Sequence, residues 1–159
     1  MQDILKRVNE KNGLKKLLII ASMTVTVLSV VAFVLVIYTA YVKDVVLSIK
    51  LLAMSAIPFV AVSLLRHLVD TKRPYEVYDF YKTPPKNKRG RSFPSRHVFS
   101  SFLIATLLFT VSAHFAIPFY ILGLILALCR VLLGIHFIRD VVAGGAIGII
   151  SGVIALLLI

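Results

Sequence analysis

The sequence predicts an all-α, polytopic membrane helix bundle of about five transmembrane helices, preceded by a short N-terminal amphipathic helix. Three observations carry that expectation. Of 159 residues 59% are hydrophobic and only 16% charged, with a mean hydropathy of +0.95, a composition outside that of soluble domains. The apolar residues fall in charge-free runs long enough to cross a hydrocarbon core of roughly 30 Å, which takes about 20 helical residues. The 18 Lys and Arg, against 7 Asp and Glu, gather in the few polar stretches between those runs. A single cysteine, Cys129, excludes an intrachain disulfide framework.

Along the chain, Ile4, Leu5 and Val8 share one helical face among Lys6, Arg7, Glu10 and Lys11, the pattern of a short helix lying on a membrane surface. The first span is expected at 17–42. It is uncharged, flanked by Lys15, Lys16 and Lys43, and carries Tyr38 and Tyr41 near its far end, at interface depth. It exceeds the about 7–15 apolar residues of a cleavable signal and so reads as a retained helix. The second span, 45–65, has Lys50 placed to snorkel and Pro58 as a kink. Residues 98–129 are apolar and too long for one crossing, so His114 and Pro118 suggest a hairpin turning near 113–118, with spans at 98–114 and 117–134. The last span is 141–159. Its Gly144, Gly148 and Gly152 form a face for close helix approach, by a bundle neighbour or, in a homo-oligomer, by a second copy. All of 1–159 is expected to be one membrane-embedded domain.

The polar loop 66–97 holds nine of the 18 cations together with Pro74, Pro84, Pro85 and Pro94, and those prolines with Gly90 exclude one continuous helix. With five spans, this loop, the N-terminus and residues 129–140 emerge on the same side. Three clusters therefore meet: Arg66 to Arg73-Pro74; Pro94-Ser95-Arg96-His97; and Cys129-Arg130 followed by His136 and Asp140. Guanidiniums, two histidines and a carboxylate suit the binding of a tetrahedral oxyanion and the transfer of a phosphoryl group. His136 and Asp140, four residues apart, stand one above the other on a helix. Elsewhere, Tyr75, Tyr78, Phe80 and Tyr81 read as an interface belt. Arg139 is set to meet a lipid phosphate or Asp70. The strip Lys86 to Arg91 reads as a solvated loop near anionic lipid, since nothing beside it suggests a nucleic-acid fold.

The order and spacing of the three clusters resemble the type-2 phosphatidic acid phosphatase superfamily. Its signature is a basic residue separated by six residues from Arg-Pro, then Pro-Ser-Gly-His, then Ser-Arg with His and Asp downstream. The resemblance covers Arg66 to Asp140, about half the chain. It implies a membrane lipid phosphatase with no metal or other cofactor and no nucleic-acid partner. The implied substrates are lipid phosphomonoesters or diphosphates, such as phosphatidic acid, phosphatidylglycerol phosphate or prenyl (di)phosphates. By the same resemblance His136 attacks phosphorus to form a phosphohistidine, Asp140 orients it, and His97 protonates the leaving group and then activates water. Arg66, Arg73, Ser95, Arg96 and Arg130 hold the phosphate oxygens. Three residues depart from the pattern: Arg66 for the usual lysine, Arg96 for glycine and Cys129 for serine. They leave open a catalytically weak protein that binds or transports lipid phosphate with the anion site retained. A vanadate-dependent haloperoxidase shares the anion site, but a small hydrophobic chain argues against it.

Sixteen of the 18 cations fall on the side of the clusters, against Lys43 and Lys50 opposite. Positive residues favour the cytoplasm, so the expected location is the cell membrane, multi-pass, with the active site on the cytoplasmic face. Much of the family has six spans and an outward-facing site; one span fewer reverses that orientation.

Overall fold

The computed structural model describes residues 2–80 and 89–159, and those residues are helical with no strands among them. Helix α1 (Gln2–Glu10) leads into α2 (Asn12–Lys43) and α3 (Val45–Val69), a single turn α4 (Pro74–Val77), then α5 (Arg96–Leu107), α6 (Ala113–Leu132) and α7 (Ile138–Leu158). Helices α2, α3, α6 and α7 are each long and apolar enough to cross a membrane. Their outward faces carry exposed Leu, Ile, Val and Phe side chains along their length, the surface a bilayer covers and water does not tolerate. The protein is a multi-pass membrane protein.

The fifth expected span is different in kind. Helix α5 has 12 residues and continues through one 3-10 turn, Leu108–Thr110, so it is only about 22 Å long. From Val98 to Leu107 it is buried except at Ser100, with Phe99, Leu103, Ile104 and Leu107 in a core shared with Val36, Leu51 and Val62. The hairpin after it turns at 108–112, earlier than the 113–118 expected from the sequence. Ser112 caps α6 by accepting the His114 N–H, and Pro118 lies inside α6. Pro58 likewise lies within an unbroken α3, which runs on to Val69 and shortens the expected 66–97 loop from its start.

Three features correct the sequence reading. Ideal Cβ atoms built on Gly144, Gly148 and Gly152 would collide with Ser95 O at 2.5 Å, with Phe99 O, and with Thr106 Cβ at 2.5 Å. The glycine face is therefore filled by α5 of the same chain and is not open to a homo-oligomer contact. Helix α1 does not lie free on the lipid: Leu5 and Val8 are buried in the bundle, and Asn9 Nδ2 donates to Phe80 O at 3.4 Å. Tyr75 is buried rather than part of an interface belt, with the Arg73 guanidinium 5.9 Å from its ring centroid. Tyr81 and residues 86–88 of the basic strip lie outside the described residues.

Hydroxyls within the spans donate to carbonyls of the preceding turn, as Thr26 does to Ser22, Ser29 to Val25, Ser55 to Leu51 and Thr106 to Phe102. In hydrocarbon this satisfies the donor without a second helix.

Candidate active site

The three clusters converge at one end of the bundle. The Pro94-Ser95 turn is pinned against α7 by the Ser95 N–H, which donates to Asp140 O at 2.8 Å. The close approach allowed by Gly144 sets the same contact from the other side. The first turn of α5 thus presents Arg96 and His97 beside the start of α7. Arg66, Arg73, Arg96, His97, Arg130 and His136 all border one cavity of about 70 Å³. Ser95 is fully buried next to it, and Asp140 is fully buried behind His136.

Arg66 and Arg73 are held by backbone carbonyls rather than by carboxylates. Arg66 Nη1 donates to Ser92 O at 3.4 Å and to Pro94 O. Arg73 Nε donates to Gly90 O at 2.9 Å and Nη1 to Ile135 O at 3.4 Å. A guanidinium has five N–H groups in a fixed fork, so these ties orient each one while leaving donors for the cavity. Ser95 Oγ and Arg130 Nε are buried with no hydrogen-bond partner among the described residues. Buried donors of that kind call for an explanation, and an oxyanion in the cavity supplies one for Arg130, which borders it; Asp140 Oδ1, likewise without a hydrogen-bond partner, faces the Arg139 guanidinium at 3.6 Å.

His136 lies in the short link between α6 and α7. Its Nδ1 is 3.6 Å from Asp140 Oδ2 and 3.4 Å from Ser92 Oγ. Ser92 donates to Asp140 Oδ2, which also accepts the Phe137 N–H at 2.9 Å. With its proton committed to the carboxylate, Ser92 Oγ is an acceptor toward Nδ1. That fixes the tautomer with Nδ1 protonated and leaves the Nε2 lone pair for another partner. Burial pushes the imidazole pKa down to about 4; the Asp140 carboxylate opposes the shift, and the Arg73 guanidinium adds to it.

The sequence reading missed Ser92 and Glu76, and offered Asp70 only as a partner of Arg139. Ser92 is fully buried. Glu76 Oε1 accepts the Gly90 N–H at 2.8 Å and the Arg73 N–H at 3.4 Å, and Asp70 Oδ1 accepts the Arg91 N–H at 3.0 Å. These carboxylates shape the loop that carries Arg73 and Gly90. A lone serine or acid in a polar loop gives no spacing signal by which to find it. Arg139 pairs with Asp140 Oδ1 at 3.6 Å rather than with Asp70, and lies 5.4 Å from the Phe137 ring centroid. Cys129 is buried and does not border the cavity.

On the membrane side, Arg96 and His97 also border a second cavity of about 220 Å³, with Thr26, Phe59 and Ser100. It adjoins an apolar groove of about 300 Å³ between α2, α3 and α5, walled by Val30, Phe33, Leu52 and Leu103.

The model of the PAP2 superfamily matches residues 47–159, more than half of the chain, and the chain belongs to that superfamily. The fold is shared with a crystal structure of Aquifex aeolicus LpxE, at a TM-score of 0.73 and 24% identity over 98% of this chain and 93% of that one. It is also shared with the transmembrane PAP2-type phosphatidylglycerolphosphate phosphatase from Bacillus subtilis, at a TM-score of 0.65 and 18% identity over 99% and 85% of the two chains. No curated protein matches the sequence.

Proposed function

We propose that the protein is a metal-independent membrane lipid phosphatase that removes a phosphoryl group through a phosphohistidine intermediate. The observation that carries the proposal is the single small cavity bordered by four arginines and two histidines, one of them a buried neutral imidazole backed by a buried carboxylate. Membership of the PAP2 superfamily supports the reaction class.

In this reading the guanidiniums of Arg66, Arg73, Arg96 and Arg130, with Ser95 and the first-turn N–H groups of α5, bind the phosphate oxygens. His136 Nε2 attacks phosphorus in line with the departing oxygen, and Asp140 with Ser92 takes up the charge developing at Nδ1. His97 gives a proton to the leaving alkoxide or phosphate. It then removes one from water, whose oxygen displaces His136 and releases inorganic phosphate. The apolar groove next to His97 accommodates a lipid tail while the phosphate stays at headgroup depth.

Phosphate release from detergent-dispersed phosphatidic acid, phosphatidylglycerol phosphate and a prenyl diphosphate, each assayed with EDTA, tests the proposal. Turnover that survives chelation is the expected result. Saturable binding of lipid phosphate with no release of phosphate would instead favour a binding or transport protein.

The same reading assigns the site to the cytoplasmic face of the cell membrane, supported by the sixteen of 18 cations that fall in the polar segments the sequence puts on that side. A Lys72→Cys variant probed with an impermeant maleimide on intact cells is expected to stay unlabelled until the cells are opened. Strong labelling of intact cells would reverse the assignment.

A further inference from the structure

A larger cavity of about 440 Å³ adjoins the small one and shares Arg66, Arg73 and Arg96 with it, adding His67, Arg89 and Arg91. Resting on the lipid-phosphatase reading above, we infer that this basin is a second anion subsite. The substrates it selects are lipids that carry another phosphate beside the one removed.

Size separates the two cavities. A space of about 70 Å³ takes one tetrahedral oxyanion, yet five guanidiniums border the joined pair of cavities on the basin side. One phosphate does not need them all. Two carboxylates lie near the basin, Asp70, which accepts the Arg91 N–H, and Glu76, which accepts those of Gly90 and Arg73, and they offset only part of the charge of five guanidiniums. Both ion pairs among the described residues end instead on Asp140. Cations clustered in excess of their counter-charge repel one another, and an anion among them relieves that repulsion.

The basin is also built rather than left over. Gly90 and Arg91 both have left-handed backbone, at φ 62° and 53°. Glycine adopts that conformation freely, whereas a long side chain there is held against a steric preference, a feature that gathers at ligand sites. The Arg91 side chain is exposed, and its Nη1 lies 3.3 Å from His67 Nε2. Arg96, which borders both anion cavities, is held on the α3 wall, 3.5 Å from Ser63 Oγ and 5.4 Å from the Phe59 ring centroid. An arginine at this position in place of glycine thus joins the scissile phosphate to whatever occupies the basin.

Two lipid chemistries supply the second charge: a diphosphate, with the two phosphates sharing an oxygen, or a phosphomonoester with a phosphodiester a few bonds away. The experiment compares kcat/KM on a prenyl diphosphate, on phosphatidylglycerol phosphate and on phosphatidic acid, for the parent protein, Arg91→Asn and Arg89→Gln. Asparagine tolerates the left-handed backbone at position 91. We expect the parent to prefer at least one two-phosphate lipid. Each variant is expected to lose about tenfold or more on that lipid, the loss of one charge-assisted hydrogen bond, while staying within about threefold on phosphatidic acid. The lipid that loses most identifies the spacing of the two phosphates. Equal losses on all three lipids, or none on the two-phosphate lipids, would overturn the subsite while leaving the phosphatase reading intact. Absence of turnover on every lipid by the parent protein would remove both.

Discussion

His136→Ala is expected to lower phosphate release from lipid substrates by on the order of 10⁴-fold or more, the scale seen when a nucleophile is removed from a cooperating set. The chain should still elute as a folded species in detergent, because the histidine sits in a link between helices and caps α6 only through its backbone N–H, which donates to Arg130 O at 3.2 Å and which alanine keeps. Trapping with a radiolabelled lipid phosphate, quenched in alkaline detergent, gives the sharper measurement. The parent protein should retain label in an acid-labile, base-stable bond, and His136→Ala should retain none. Turnover that persists in the variant would remove the covalent mechanism. Protonation of the same side chain provides an independent check. An imidazole with its pKa lowered to about 4 by burial stays neutral, and therefore nucleophilic, down to that pH. Nitrogen NMR of histidine-labelled protein should find His136 uncharged at about pH 5, where an ordinary histidine is cationic. The sign for stability follows: below about pH 6.5 the unfolded chain takes up a proton that the folded one refuses, so this group weakens the fold progressively as pH falls toward 4.

Gly148→Ala and Gly144→Ala should each cost about 1–3 kcal/mol of stability, the range for overpacking a tight interface. The reason is what the added methyl group meets. At Gly148 it is the Phe99 carbonyl oxygen and the Leu103 nitrogen, the latter at 3.0 Å; at Gly144 it is the Ser95 carbonyl oxygen. All are backbone atoms, which cannot rotate away as a side chain can. Gly144→Ala should also reduce turnover, because Ser95 begins the turn that presents Arg96 and His97. Gly13→Ala is the control, with nothing within 4 Å of its Cβ. Thermal unfolding in detergent, run beside the phosphate assay, measures both effects. Melting temperatures for the position 144 and 148 variants equal to that of Gly13→Ala would mean that the α5–α7 contact is looser than described.

The bundle was legible because hydrocarbon leaves few options: a run without charge and of sufficient length forms a helix. The convergence of Arg66, Arg73, Arg96, His97, Arg130, His136 and Asp140 was legible for a related reason, since the two crossings between the 66–97 loop and residues 129–140 return the chain to the same surface. What escaped was contact between particular partners. Gly144, Gly148 and Gly152 announce that something comes close, but their spacing is the same whether the neighbour is α5 or another molecule. Leu5 and Val8 give one amphipathic pattern for docking on protein or on lipid. The hairpin turn was placed too late because Pro118 drew attention from Ser112, whose hydroxyl caps α6 and was the available signal. Ser92 had no such signal, because its part in the site depends on the buried carboxylate it meets across the fold.

The shortness of α5 has a consequence for how the enzyme tolerates its surroundings. Helices that face lipid must tilt or stretch when the bilayer thickens or thins. The element bearing Arg96 and His97 is sheathed by its neighbours from Val98 to Leu108, Ser100 excepted. Changes in acyl-chain length or sterol content therefore strain the outer staves of the barrel first, and the reacting groups keep their spacing across membranes of unequal depth.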